Sequence, residues 1–440
     1  MLKTVEEYIE QKLVHSIHTT ERRSFRGCRR RHKFIFIDGY YPKVTARPLE
    51  FGVAFHAAME TYYGFYLGLF VNPDPDTALQ LAIAKFKEVC NQQYRKFVLN
   101  NPIKEGDPEV KEEYDDRVRL GVGMLRYYFL HEAPKYDQGL KPVKVEQSFE
   151  VPIYGPNKEI IWCKCDRCKR RWRNSEIGAR DHDQYSAQVY ELTGEILTAE
   201  AYWEQWEGLP VTYGGRIDII FEDAQGRYWI GDWKTAMRIS GVEPGTLDDY
   251  MYNDDQITSY CWALWLIGIP VAGFIYAEIK KAVPEEPEPL KAQRLGRMYS
   301  TNKQQATTYD LYLSTIQEND TAAYEEGLYD EFLNYLKYNA PVFHHRHDIP
   351  RNDEELRNCG LYIYQEAKEI IDPNIARYPN PGRFHCKGFT DASGCAFWEP
   401  CLGMNRGEDW HYTLDTMFEK RTKHYYEEAP PTTDKRMEPA

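Results

Sequence analysis

The chain has 440 residues, 42% of them hydrophobic and 28% charged, and a formal net charge of −13. That apolar content supports a sizeable core, in one large domain with insertions or in two domains, and the acidic balance speaks against a general nucleic-acid-coating protein, which carries a basic excess. With no signal-peptide pattern and no apolar run long enough to cross a bilayer, a cytosolic chain is expected, whose ten cysteines serve as ligands or core fillers rather than disulfides.

Residues 1–135 read as a mostly helical part. Arg22, Arg23, Arg26, Arg29, Arg30, Arg31 and Lys33 crowd around Cys28; such a run is a solvated face or, beside an active site, a seat for the phosphates of a DNA strand. Phe51, Phe55, Met59, Tyr62 and Tyr66 then recur at helical spacing, which puts His56 and Glu60 on one helix face. Further amphipathic runs cover Ala78 to Phe97 and Glu109 to His131.

Residues 136–282 form the expected core. After a strand-like segment from Val143 to Tyr154 comes an insertion over 156–211, which contains Cys163, Cys165 and Cys168 in a C-x-C-x2-C pattern. Two readings stand: a small Zn²⁺ site completed by His182 or another residue, or a thiol-bearing insertion without metal. Ile217-Asp218-Ile219-Ile220-Phe221 and Tyr228-Trp229-Ile230-Gly231-Asp232-Trp233, joined by a polar Gly-containing turn, read as a hairpin. Side chains alternate across a strand, so Asp232 and Lys234 share one face, Trp233 points the other way, and Asp218 meets the pair from the neighbouring strand. Two carboxylates there can hold a divalent cation, with a lysine facing the water it activates. A helix over Asp255 to Leu266, with Gln256 and Tyr260 four apart, and a strand over Val271 to Ile279 complete the core.

A Pro-rich loop from Pro284 to Pro289 opens the helical C-terminal part, residues 283–419, with helices expected over Asp310 to Tyr338 and Glu354 to Ile371. Cys386, Cys395 and Cys401 lie in a loop rich in Gly and small polar residues, and residues 420–440 read as a disordered tail.

A G-x-x-x-H motif from Gly52 to His56 on a helix, the sequence Gly215-Arg216-Ile217-Asp218, the sequence Gly231-Asp232-Trp233-Lys234-Thr235 and a following Gln256-x-x-x-Tyr260 resemble, in this order, the RecB-type exonuclease branch of the PD-(D/E)XK nuclease superfamily. The resemblance implies an α/β fold with a restriction-endonuclease-like core, a mixed central sheet flanked by helices. It implies a Mg²⁺ or Mn²⁺ ion on His56, Asp218, Asp232 and the main-chain carbonyl of Trp233. Lys234 would then orient the attacking water, and Gln256 and Tyr260 would position Lys234 or the DNA. The activity implied is exonucleolytic cleavage of DNA, on single strands or duplex ends, in phage replication, recombination or repair or in CRISPR spacer acquisition. A site-specific endonuclease and a catalytically silent, iron-sulfur or zinc DNA-binding subunit are the rival readings.

One N-terminal cysteine followed by basic and aromatic residues, with three more near the C-terminus, is similar to the [4Fe-4S] staple of AddB nucleases and CRISPR-associated RecB-like exonucleases. The resemblance assigns Cys28, Cys386, Cys395 and Cys401 to the cluster, with Zn²⁺ the competing metal. The spacing here is C-x8-C-x5-C, where those families typically have C-x2-C-x5-C, so Cys386 fits less well than Cys395 and Cys401. A cross-link over about 360 positions closes a long loop, which makes a structural role the natural one.

Overall fold

The computed structural model describes residues 4–43, 47–67, 74–104, 106–196, 198–242, 249–294, 296–380, 382, 386 and 394–421. The expected tail from 422 onward lies outside them. Seven strands build one mixed sheet: β1 (His15–Ile17), β2 (Lys141–Pro152), β3 (Trp162–Cys163), β4 (Leu209–Glu222), β5 (Tyr228–Ala236), β6 (Val271–Lys280) and β7 (His344–Pro350). The helices that matter for the site are α1 (Thr19–Gly27), α2 (Arg47–Tyr66), α3 (Pro75–Asn100), α4 (Pro108–Tyr127), α5 (Asp166–Arg173), α6 (Asp255–Leu266), α7 (Asp353–Ile371) and α8 (Trp398–Arg406). No helix among the described residues is long and apolar enough to cross a membrane.

β4 is the spine. β2 runs antiparallel along nearly its whole length, from Lys141 opposite Glu222 to Pro152 opposite Thr212. On its other side β4 changes partner: β5 pairs with it antiparallel from Glu222–Tyr228 to Ile219–Gly231, and β1 pairs with it in parallel from His15–Val211 to Ile17–Tyr213. Between these two ladders β4 and β5 part. β5 continues in parallel with β6 through the α6 crossover, and β7 closes the edge antiparallel to β6.

The alternation of β5 divides the interior. Trp233 goes to the α2, α3 and α4 side, where Phe55, Met59, Tyr63, Phe86, Leu125 and Phe221 form one core. Ile230 goes to the opposite layer with Val211, Ile257, Trp262, Phe274, Leu356 and Ile363, under α6 and α7. Local chemistry marks the helix starts: Asp254 accepts from the Gln256 and Ile257 N–H groups at α6, and Asn352 with Glu355 forms a capping box at α7. A smaller core of Phe34, Phe397, Leu414 and Phe418 joins the two ends of the chain, with Tyr40–Pro42 pairing antiparallel to Phe418–Lys420.

The hairpin, the crossover helix and the strand after it fall where the sequence places them. Several elements differ, among them the short strands Tyr40–Pro42 and Phe418–Lys420 in the parts read as helical. β1 lies inside the part read as helical, because three residues are too few for an alternation to register. β7, His344-His-Arg-His-Asp-Ile-Pro350, is too polar to read as a strand, yet a neighbouring ladder pairs it throughout. The run from Asp310 to Tyr338 is helical as expected, divided into three helices at Tyr309–Asn319, Thr321–Glu325 and Asp330–Asn339.

Candidate active site

Asp218 and Asp232 sit at the fork, one step beyond the last β4–β5 pair, Ile219 with Gly231. Gly231 is required there, since a Cβ on it would come within 2.5 Å of the Ile219 side chain. His56 reaches the fork from α2, its Nδ1 2.8 Å from Asp218 Oδ2. Lys234 Nζ lies 2.8 Å from Asp232 Oδ1 and 2.6 Å from Oδ2. One ligand atom from each of His56, Asp218 and Asp232 lies within 4.8 Å of the others. A donor set of two carboxylate oxygens and one imidazole nitrogen suits a Mg²⁺ or Mn²⁺ ion. The main-chain carbonyl of Trp233 is on the same strand, between Asp232 and Lys234.

The charges are strongly coupled. Burial pushes Asp232 up from the ordinary carboxylate range, with Asp218 adding to the rise and Lys234 opposing it. Asp218 is held below that range because His56 and Lys234 outweigh its burial. His56 and Lys234 are both raised, each against its own burial, by the acid it faces. A group of this kind favours a bound dication, which neutralises two carboxylates that otherwise repel in a secluded place.

Of the two α6 residues, Tyr260 lies near the acids. Burial raises its hydroxyl, with Tyr213, Asp218 and Asp232 adding to the effect, and the backbone N–H of Arg216 is bonded to it. A Cβ at Gly215 would come within 3.2 Å of the Tyr260 ring and 2.5 Å of Phe149, so glycine permits this approach. Gln256 Oε1 instead faces Arg23 Nη1 at 3.5 Å.

Two neighbours of the site were not singled out in the sequence. Arg23, on α1, bonds both oxygens of Asp254 at 2.7 Å and lies close enough to oppose the protonation of Lys234. It was visible only as part of a basic run. Glu146, on β2, falls between the Val145–Ile219 and Gln147–Ile217 pairs and so opposite Asp218. Its backbone is left-handed, φ +48, and its carboxylate lies 2.6 Å from Arg216 Nε. Burial pushes Glu146 up to about 7, with Arg216 opposing and Asp218 and Glu60 adding. Nothing in Lys144-Val-Glu-Gln-Ser148 announces that turn of the backbone.

The basic run expected to seat DNA is engaged elsewhere. Arg26 pairs with Asp255 and Glu366, Arg29 with Glu369, and Lys33 with Asp38. Arg30 donates to Asn405, and Arg31 lines a cavity with cysteines. These groups pin α1 and the turn after it to α6 and α7 through the acids Asp255, Glu366 and Glu369, and to α8 through the Asn405 side chain.

Cys28, Cys386, Cys395 and Cys401 line that one small cavity, together with Arg30, Phe34, Pro379, Phe397 and Trp398. The backbone N–H groups of Arg31 and Asn380 both point at Cys28 Sγ at 3.5 Å, and Arg30 Nη1 is 3.4 Å from Cys401 Sγ. Four thiols, two of them with N–H donors on their sulfurs, offer the kind of ligand set that an iron-sulfur cluster or Zn²⁺ takes. Cys90, Cys261 and Cys359 are buried among apolar side chains.

The C-x-C-x2-C insertion corrects the sequence reading in one respect. His182 is not brought to its thiols; it is a half-exposed side chain packed against Tyr202, ring centroids 4.7 Å apart. His15 stands there instead, since the β1–β4 ladder delivers it to the start of β4, beside Cys163, Cys165 and Cys168.

The family model of the PD-(D/E)XK nuclease superfamily matches residues 19–402. Among curated proteins no match is found.

Proposed function

As a chain that belongs to the PD-(D/E)XK nuclease superfamily, and hence a metal-dependent nuclease with DNA as its substrate, the protein is, we propose, an exonuclease that degrades DNA from single-stranded ends during replication, recombination or repair. The observation that carries this reading is the meeting of His56, Asp218 and Asp232 at the fork, with Lys234 seated on Asp232. The order of the four motifs, from His56 to Tyr260, supports the exonuclease branch within the superfamily.

His56, Asp218, Asp232 and the Trp233 carbonyl would hold Mg²⁺ or Mn²⁺, which supplies charge stabilisation at a scissile phosphate and lowers the pKa of a bound water. The rest falls to side chains of this chain. Lys234, kept protonated by two carboxylates, orients the water and offsets the charge that develops at phosphorus. Tyr260, anchored on the Arg216 N–H, fixes the wall of the pocket behind the acids. Arg216 and Arg23, with side chains 46% and 43% exposed, flank the fork, and each would exchange its present carboxylate, Glu146 or Asp254, for a phosphate of the strand. The four cysteines of the terminal seam would carry a [4Fe-4S] cluster with a structural role.

Labelled linear single strands, linear duplexes and circles, incubated with Mg²⁺ or Mn²⁺, test the reading. Short products from linear ends with circles spared are expected. Cutting of circles indicates an endonuclease, and retarded but intact DNA indicates a silent binder. Asp232→Asn and Lys234→Ala should fold normally and lose cleavage by at least about 100-fold; full activity in either overturns the assignment.

A further inference from the structure

We propose that His15, Cys163, Cys165 and Cys168 bind one Zn²⁺ ion in a closed, structural site that locks the 156–211 insertion to the N-terminal strand. The inference is independent of the nuclease reading and of the terminal cysteine cavity.

The ligand atoms of the four residues lie within 4.8 Å of one another. His15 Nδ1 is 3.2 Å from Cys168 Sγ and 3.9 Å from Cys165 Sγ, and the two sulfurs are 3.4 Å apart. A tetrahedral ion with bonds of about 2.0 Å to nitrogen and about 2.3 Å to sulfur spaces its ligands about 3.5 Å from N to S and about 3.8 Å from S to S. The two N–S spacings lie on either side of the first value, and the S–S spacing is slightly shorter than the second. None of the thiols is in a disulfide. His15, Cys163 and Cys168 are buried, the two cysteines in the core that holds Tyr8, Trp172 and Leu209. Polar sulfurs and an imidazole gathered in such a place call for a partner that neutralises them. Three thiolates and one imidazole select zinc over the hard cations, and four protein ligands leave no open position for catalysis. Arg167 Nη2 also lies 3.2 Å from His15 Nδ1 and would have to leave that nitrogen for an ion to bind it there.

The topology says what such an ion would join. Cys163 is on β3, paired to Leu209 of β4; Cys165 and Cys168 open α5; His15 opens β1, paired to Val211 of β4. The ion would clamp both flanks of the same end of the spine strand. β1 runs directly into α1, which presents Arg23 to Gln256, so the clamp also fixes a neighbour of the proposed catalytic lysine.

Metal analysis of the purified full-length chain tests this. One zinc per chain is expected in the wild type and in His182→Ala, Asp232→Asn and Cys401→Ser, and background zinc in His15→Ala and Cys168→Ser, whereas Cys401→Ser alone should lose iron. Cobalt exchange into the wild type, which needs no variant to fold, should give the visible absorption of a tetrahedral thiolate site. A wild type that holds no zinc and takes up no cobalt overturns the proposal. So does zinc that survives His15→Ala, or that disappears with Cys401→Ser.

Discussion

Trp233 stands between the two proposed catalytic residues in sequence and faces away from them in space, so its substitution separates the support of the site from its chemistry. The indole is 4% exposed, stacks on Tyr63 with centroids 5.0 Å apart and donates from Nε1 to the Tyr128 hydroxyl at 3.0 Å. Trp233→Phe keeps an aromatic ring on Tyr63 but removes the donor, about 1 kcal/mol, and part of the ring volume, about another 1 kcal/mol. Trp233→Ala removes the whole ring and leaves a cavity under α2, which costs about 3–5 kcal/mol. Asp232 and Lys234 keep their face of β5 in both variants. Guanidinium unfolding followed by far-UV circular dichroism should rank wild type, Phe and Ala in that order, while the Phe variant retains most of its cleavage rate below the transition. An Ala variant that unfolds within about 0.5 kcal/mol of wild type, the range of an inconsequential surface change, would refute the packing argument.

Three further outcomes are expected. Arg23→Gln should raise KM for DNA with little effect on kcat and lower the slope of log KM against log salt by about 1, as loss of one phosphate contact does; an unchanged slope removes Arg23 from the DNA path. Cys395→Ser should lose the visible absorption and the iron of anaerobically purified protein, and iron content equal to wild type counts against the cluster assignment. Glu21, buried against His32 at 3.1 Å, is held at about 2 because the His32 hydrogen bond and charge outweigh burial. A depressed carboxyl contributes stability that is present above its ordinary value of 4.5 and lost as pH falls toward about 2. Thermal midpoints of Glu21→Gln should therefore be lower than wild type at neutral pH by the equivalent of about 1–3 kcal/mol and converge with it in acid; parallel pH profiles would contradict this.

Much of the core was legible because it rests on local rules. A period of two fixes the faces of Asp232, Trp233 and Lys234; a helical period places Tyr260 near the acids, though Gln256 turns to Arg23; and turn chemistry between Glu222 and Tyr228 sets the hairpin register. What escaped depends on distant partners. Glu146 enters the site through a left-handed backbone that glycine normally supplies, and a glutamate there carries no sequence signal. His15 rather than His182 faces the insertion thiols because a three-residue strand docks beside Val211. The basic run after Arg22 looked available for phosphates only while its acidic partners, Asp255, Glu366 and Glu369, were separated from it by more than two hundred residues.

The seam that joins Phe34 to Phe397 and Cys28 to Cys401 also imposes a timetable on synthesis. A ribosome that has finished β6 has already delivered every proposed catalytic side chain, yet it must add over a hundred residues more before the second half of the seam emerges. At about 5–20 residues per second, the cysteine next to α1 waits roughly 20 to 75 s for its last counterpart. Until α7 and α8 are made α1 cannot rest on them, and once α6 has emerged its arginines have only the acids of that helix to meet. The seam therefore closes after the proposed catalytic side chains have been made, and a chain cut short before Trp398 would carry them without it.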